Sequence, residues 1–188
     1  QRSPNIGRVL GDDVGYGDLG CLNGGLSHTP TLDSMVQEST CLTQHYAASP
    51  VCNPSRAALL TGRYPHRTGS IDTLDTRGLD RLAPREVTLA DYLRRAGYAT
   101  GLVGKWHLGR LDPAYHPIER GFDEFVGFHG GWSDYYDWKL DVSSRAGRKR
   151  LPADSRYLTD VFTEEAVSFI QRHAREPFFL HLCYNAPH

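Results

Sequence analysis

The alternation of short apolar runs with segments of helical periodicity constrains this chain more than any other feature. Residues 5–10 read as a strand, residues 32–37 as a short helix, and another helix begins near Pro54 and ends at Gly62. A further helix is expected over residues 88–96. Thr88 and Asp91 can open it as a capping box, and Gly97 suits the position just past its end. The short apolar run 99–103 follows as a strand. The clearest helix spans residues 157–175, where Leu158, Val161, Phe162, Ala166, Phe169, Ile170 and His173 recur at helical spacing. Pro177 stops it, and residues 178–184 read as a buried strand. Strands and helices in this order predict an α/β fold: a mostly parallel sheet with helices on both faces. Gly7 and Arg8 weaken the first strand, because an arginine in a sheet covered on both faces needs a partner or an edge position. Residues 111–154, rich in Gly, aromatics and charge, are expected to run as long surface excursions.

Composition narrows the class. In 188 residues, 21 basic and 22 acidic side chains leave a net charge of −1, and 39% of residues are apolar. That is the make-up of a globular domain, and it excludes a disordered tail. Balanced charge gives no electrostatic footprint for nucleic acid, and no apolar run approaches the ~18 residues of a membrane span. Cys21, Cys41, Cys52 and Cys183 form no C-x-x-C pair, which argues against a zinc ribbon or a thioredoxin-type motif. A Cys21–Cys41 bridge is open to the chain in an oxidising compartment.

Chemistry collects where the strands end. The first runs into Asp12-Asp13, the second into Lys105-Trp106-His107, and the last into Asn185-Ala186-Pro187-His188. In open α/β sheets ligands bind beyond the carboxyl ends of the strands, so these groups should share one edge. Adjacent aspartates suit a hard cation such as Ca²⁺ or Mg²⁺, although a turn or helix cap uses Asp equally well. Two carboxylates cannot fill the roughly six to eight oxygen positions of Ca²⁺. Cys52 stands immediately before a predicted helix start, a position that favours anions, with Arg56 one turn further on.

Cys52-Asn53-Pro54-Ser55-Arg56, continued by Ala57 to Arg63, resembles the signature of the type I, formylglycine-dependent sulfatases of the alkaline-phosphatase-like superfamily. Asp12-Asp13-Val14-Gly15-Tyr16-Gly17-Asp18 resembles that family's opening metal motif. Gly104-Lys105-Trp106-His107-Leu108-Gly109 is similar to its second signature, and Asn185-Ala186-Pro187-His188 to the segment carrying an active-site histidine. The resemblance implies that Cys52 is oxidised to Cα-formylglycine by a formylglycine-generating enzyme. One hydroxyl of the hydrated aldehyde then attacks a sulfate monoester, and loss of a proton from the other releases sulfate. By the same resemblance, Asp12, Asp13 and the modified Cys52 hold Ca²⁺, with Mg²⁺ as the other candidate. Arg56 holds the diol, and Lys105 binds diol and sulfate. His107 is the base for release, and His188 contacts sulfate on the leaving-group side. The substrate would be a sulfated small molecule or glycan, and the compartment secreted, periplasmic or lysosomal.

The same family pattern places an Asp-Asn metal segment, a sulfate-binding Lys and a C-terminal subdomain beyond His188. Residues 1–188 would then be the N-terminal portion of the catalytic domain, and alone would turn over sulfate esters poorly. Phosphonate or phosphate ester hydrolysis on the same fold, or a non-catalytic fragment or pseudoenzyme, are the competing readings. Two further features bear on substrate. Trp132, Tyr135, Tyr136 and Trp138, interleaved with Asp134 and Asp137, suit either stacking on sugar rings or packing on the body. Arg145, Arg148, Lys149 and Arg150 form a basic run that either holds a polyanionic glycan or is a solvated loop. His66 reads as scaffold.

Overall fold

A computed structural model of the chain describes residues 3–74 and 78–188. Its elements are β1 (Ile6–Asp12), α1 (Pro30–Glu38), α2 (Cys52–Thr61), α3 (Leu89–Arg95), β2 (Ala99–Lys105), β3 (Glu124–Phe128), β4 (Lys139–Ser144), β5 (Gly147–Pro152), α4 (Leu158–Arg172) and β6 (Phe178–Pro187). They build one six-stranded sheet in the order β1-β6-β2-β3-β4-β5. The first four strands run parallel, and β4 and β5 return antiparallel. Helices cover both faces of this α/β sheet, as expected. Among the described residues no helix is long and apolar enough to cross a membrane.

Period-two alternation sorts the core. Leu102 and Phe179 face α2 and α3 and pack with Ala57, Leu60, Ala90 and Phe122. Val103, Phe178 and Leu180 face α4 and pack with Val161, Phe162 and Phe169. The capping box forms: the Asp91 amide donates to Thr88 Oγ1 at 3.1 Å, and the Thr88 amide donates to Asp91 Oδ2 at 3.0 Å. Gly97 takes φ +86° just past the helix end. Arg8 finds both of its predicted accommodations. β1 is an edge strand here, and Arg8 Nε donates to His181 Nδ1 at 3.3 Å while its guanidinium lies over the Phe179 ring.

Three expectations are corrected. Residues 111–154 are not surface excursions, because they contribute β3, β4 and β5. β3 is a buried parallel strand only five residues long, too short for periodicity to separate from a loop. β4 and β5 form a half-exposed ribbon whose charges suit a sheet edge. Cys21 and Cys41 are free, exposed thiols rather than a bridge. Finally, α2 begins at Cys52, two residues before Pro54. Pro54 still lies in the first turn, where its missing N–H leaves no bond unmade.

Candidate active site

Because β6 lies between β1 and β2, the three strands that end in reactive residues are neighbours in the sheet. Asp12 closes β1, Lys105 closes β2, and His188 follows β6 directly. Asp12 is 4% exposed and Lys105 fully buried. Lys105 Nζ donates to Asp12 Oδ2, and Arg56 Nη2 lies 3.2 Å from Asp12 Oδ1. Arg56 Nη1 also donates to the Lys105 carbonyl at 2.8 Å, tying α2 to the end of β2. Two basic side chains thus share one buried carboxylate, and both carry N–H groups able to donate to the oxygens of an anion.

His188 bridges the aspartates, with Nδ1 3.5 Å from Asp12 Oδ2 and Nε2 3.8 Å from Asp13 Oδ2. Asp13 reaches this position from a left-handed backbone (φ +66°), a conformation Asp tolerates better than most residues. Both carboxylates therefore face one small space. Asn185, buried two residues before the Pro187 that pairs with Asp12, leaves Oδ1 and Nδ2 without hydrogen-bond partners. Convergent carboxylates are the hard-oxygen donors that Ca²⁺ or Mg²⁺ takes, so Asp12 and Asp13 are the residues that could hold such an ion.

Cys52, the first residue of α2, places Sγ 3.2 Å from His107 Nδ1. Burial, with Lys105 adding to it, lowers the His107 pKa to about 4, so the ring is neutral at ordinary pH. His107 Nε2 lies 3.4 Å from the Thr73 carbonyl and donates to it, which leaves the Nδ1 lone pair facing position 52. The close approach of β2 and β6 depends on Gly104. It has φ +111°, and a Cβ there would lie 1.9 Å from the Cys183 carbonyl oxygen.

All seven residues singled out in the sequence come to this edge. Asp12, Asp13, Arg56, Lys105 and His188 form one connected group, and Cys52 with His107 forms a second. The two are joined because Arg56 shares α2 with Cys52, and Lys105 stands two residues before His107. Two positions escaped the sequence reading. Asn53, fully buried, donates from its amide to the carbonyls of Asp80 and His107 and accepts from Ser70 Oγ at 2.5 Å, fixing the backbone at His107. Its place beside Cys52 was the only available signal. Gly131 packs against the His107 ring so closely that a Cβ would lie 2.7 Å from Cε1. The predicted aromatic cluster divides. Trp138 is buried and Tyr135 stacks on Tyr157, whereas Trp132 and Tyr136 are exposed. His66 is exposed and stacks on Tyr64.

The sequence profile of the Sulfatase family matches residues 4–188. The chain belongs to the sulfatase family. It is 38% identical over 213 residues to human (Homo sapiens) N-acetylgalactosamine-6-sulfatase, covering 98% of this chain and 40% of that protein. The sulfatase fold is matched across 100% of the chain by the crystal structure of Ps i-CgsB in complex with k-i-k-neocarrahexaose. There the TM-score is 0.90 with 35% identity, over 46% of that chain. The structure of BT4656 with its substrate D-glucosamine-2-N,6-O-disulfate matches at a TM-score of 0.80 and 31% identity, over 100% of this chain and 35% of that one. This sulfatase chain therefore spans less than half the length of these relatives.

Proposed function

We propose that the protein hydrolyses sulfate monoesters, with position 52 as nucleophile and residues 1–188 forming the N-terminal portion of the catalytic domain. The observation that carries this reading is Cys52 Sγ 3.2 Å from the unprotonated Nδ1 of a neutral His107, beside a buried Asp12 that shares two cations. Once oxidised to formylglycine and hydrated, position 52 supplies one hydroxyl for attack and a second for release. His107 Nδ1 takes the proton from position 52, and the Nε2–H bond to Thr73 holds the ring in that tautomer. Arg56 holds the diol, Lys105 binds diol and sulfate, and both offset the negative charge that develops; losing one such donor typically lowers kcat by about 10²–10³. Asp12 and Asp13 would hold Ca²⁺, which would supply Lewis-acid polarisation of the sulfate. His188, 38% exposed, stands at the mouth and contacts the leaving-group side.

The relatives point to a sugar sulfate as substrate, since the names of two of them specify an amino-sugar sulfate. The test is turnover by the whole protein of matched sulfate, phosphate and phosphonate esters. We expect a preference for sulfate and a loss of at least ~10³-fold in Cys52→Ala. A preference for phosphate or phosphonate would support the neighbouring activity on this fold, and undiminished turnover by Cys52→Ala would overturn the assignment of the nucleophile.

A further inference from the structure

His107 has a left-handed backbone, at φ +55°, which among the described non-glycine residues it shares only with Asp13 and Ser155. A side chain in that conformation costs energy that the surroundings must offset, and such positions gather at functional sites. The surroundings grip His107 from both sides. Its amide donates to the His129 carbonyl at 3.2 Å, and its carbonyl accepts from the Asn53 side chain. The next residue is fixed as well, since the Leu108 carbonyl accepts the Leu82 amide at 3.2 Å.

Asn53 is fully buried, and both ends of its amide are engaged. Nδ2 donates to the carbonyls of Asp80 and His107, and Oδ1 accepts from Ser70 Oγ at 2.5 Å. Carbonyls can only accept, so this setting specifies an amide with its nitrogen turned toward them. An aspartate of the same shape would set a carboxylate oxygen against two carbonyl oxygens, and an alanine would remove both donors.

The partners of Asn53 lead back to His107 by a second route. Ser70, also fully buried, pairs with Asp80 as an isolated bridge, and the amides of Ile71 and Asp72 both donate to the Leu79 carbonyl, at 2.9 and 3.1 Å. Thr73 follows directly and presents the carbonyl to which His107 Nε2 donates at 3.4 Å. Asn53 thus reaches His107 directly at its backbone, and through Ser70 at the segment whose carbonyl selects its tautomer. It also stands next to Cys52 in the first turn of α2, so one side chain links the residue that carries Sγ to the ring 3.2 Å away.

We infer that Asn53 is a positioning residue for the reaction at position 52: it holds the His107 backbone in its left-handed form and anchors the Thr73 segment, which together keep Nδ1 aimed at residue 52. This rests on the sulfate-ester reading with His107 as base, and adds to it the residue that sets the base's aim.

The test compares the whole parent protein with Asn53→Ala and Ser70→Ala. Because Asn53 lies inside the cysteine motif, rates are divided by the aldehyde content of each preparation, measured by mass spectrometry of the peptide containing position 52; Ser70 lies outside that motif. On 4-nitrophenyl sulfate, Asn53→Ala should lower kcat about 10²-fold, the scale of a catalytic group misplaced by about an ångström, and move KM far less. Ser70→Ala should lower kcat about five- to tenfold, the rate equivalent of one hydrogen bond. Histidine-selective ¹⁵N NMR at neutral pH needs no turnover, with the His107 signals assigned by their absence from His107→Gln. The parent should show a single Nε2–H tautomer, and each folded variant a mixture of the two. If Asn53→Ala does not fold, Ser70→Ala decides alone. A lowered Tm with kcat and tautomer unchanged, or a raised KM with kcat unchanged, would reduce Asn53 to scaffold and overturn the inference. A tautomer mixture in the variants of a protein that hydrolyses no sulfate ester would overturn the sulfate-ester reading and leave the hold of Asn53 on His107 standing.

Discussion

Asp12 and Asp141 stand toward the same end of the sheet, each with nitrogen donors gathered on its carboxylate, yet they are built differently. The Asp12 side chain is 5% exposed and its close partners are Arg56 and Lys105. Asp141 is 23% exposed, and its partners are His116, His129 and Ser143. Burial foremost lowers the His116 pKa, although Asp141 opposes that shift. The Asp12 group sits at the ends of three neighbouring parallel strands, with Arg56 reaching it from α2. The Asp141 group belongs to an antiparallel ribbon at the sheet edge, and its charge depends on pH. The first gathers donors from α2 and β2 at the ends of parallel strands, while the second ties β4 to His116 and to the segment after β3.

The contrast can be broken most directly at Asp12. Asp12→Asn strands a fully buried lysine and a buried arginine beside a neutral amide, and should cost about 3–5 kcal/mol in urea unfolding. If it costs no more than an exposed ion pair, the two groups are alike after all. Gly131→Ala acts where they meet. Its Cβ would push on the His107 ring, an overpacking of roughly 1–3 kcal/mol, and kcat should fall more than KM rises. Asp141→Asn keeps an acceptor of the same shape, so its cost should be smaller, about 1–2 kcal/mol.

The smallest effect is in pH. Since the His116 pKa is lower folded than unfolded, the unfolded chain binds its proton more readily. The contribution of His116 is complete above its ordinary value near 6.5 and is lost as pH falls toward the lowered one. Unfolding free energies measured between pH 7.5 and 5 should therefore slope downward towards acid. His116→Gln should flatten part of that slope, and an unchanged slope would remove His116 from the account.

How much of this was legible follows the same division. The Asp12 group could be read because its members close short apolar strands, and because the capping box at Thr88 and the periodicity of α4 fixed the order of elements around them. The Asp141 group could not. His116, His129 and Asp141 share no periodic spacing and meet only because β3 pairs with β4, placing Gly127 opposite Asp141. β5, with its run of basic residues, carries no apolar alternation and reads as a loop. The Asn53 contacts were hidden for a related reason, since Ser70 and Asp80 approach it through an isolated bridge far from any regular strand.

The central claim is that position 52, held against a neutral His107, becomes the nucleophile. Mass spectrometry of the peptide containing Cys52, from whole protein made in a host that oxidises such cysteines, tests it most directly. We predict an aldehyde in place of the thiol, trapped by a hydrazide reagent and absent in Cys52→Ala. An intact thiol in that host would contradict the account.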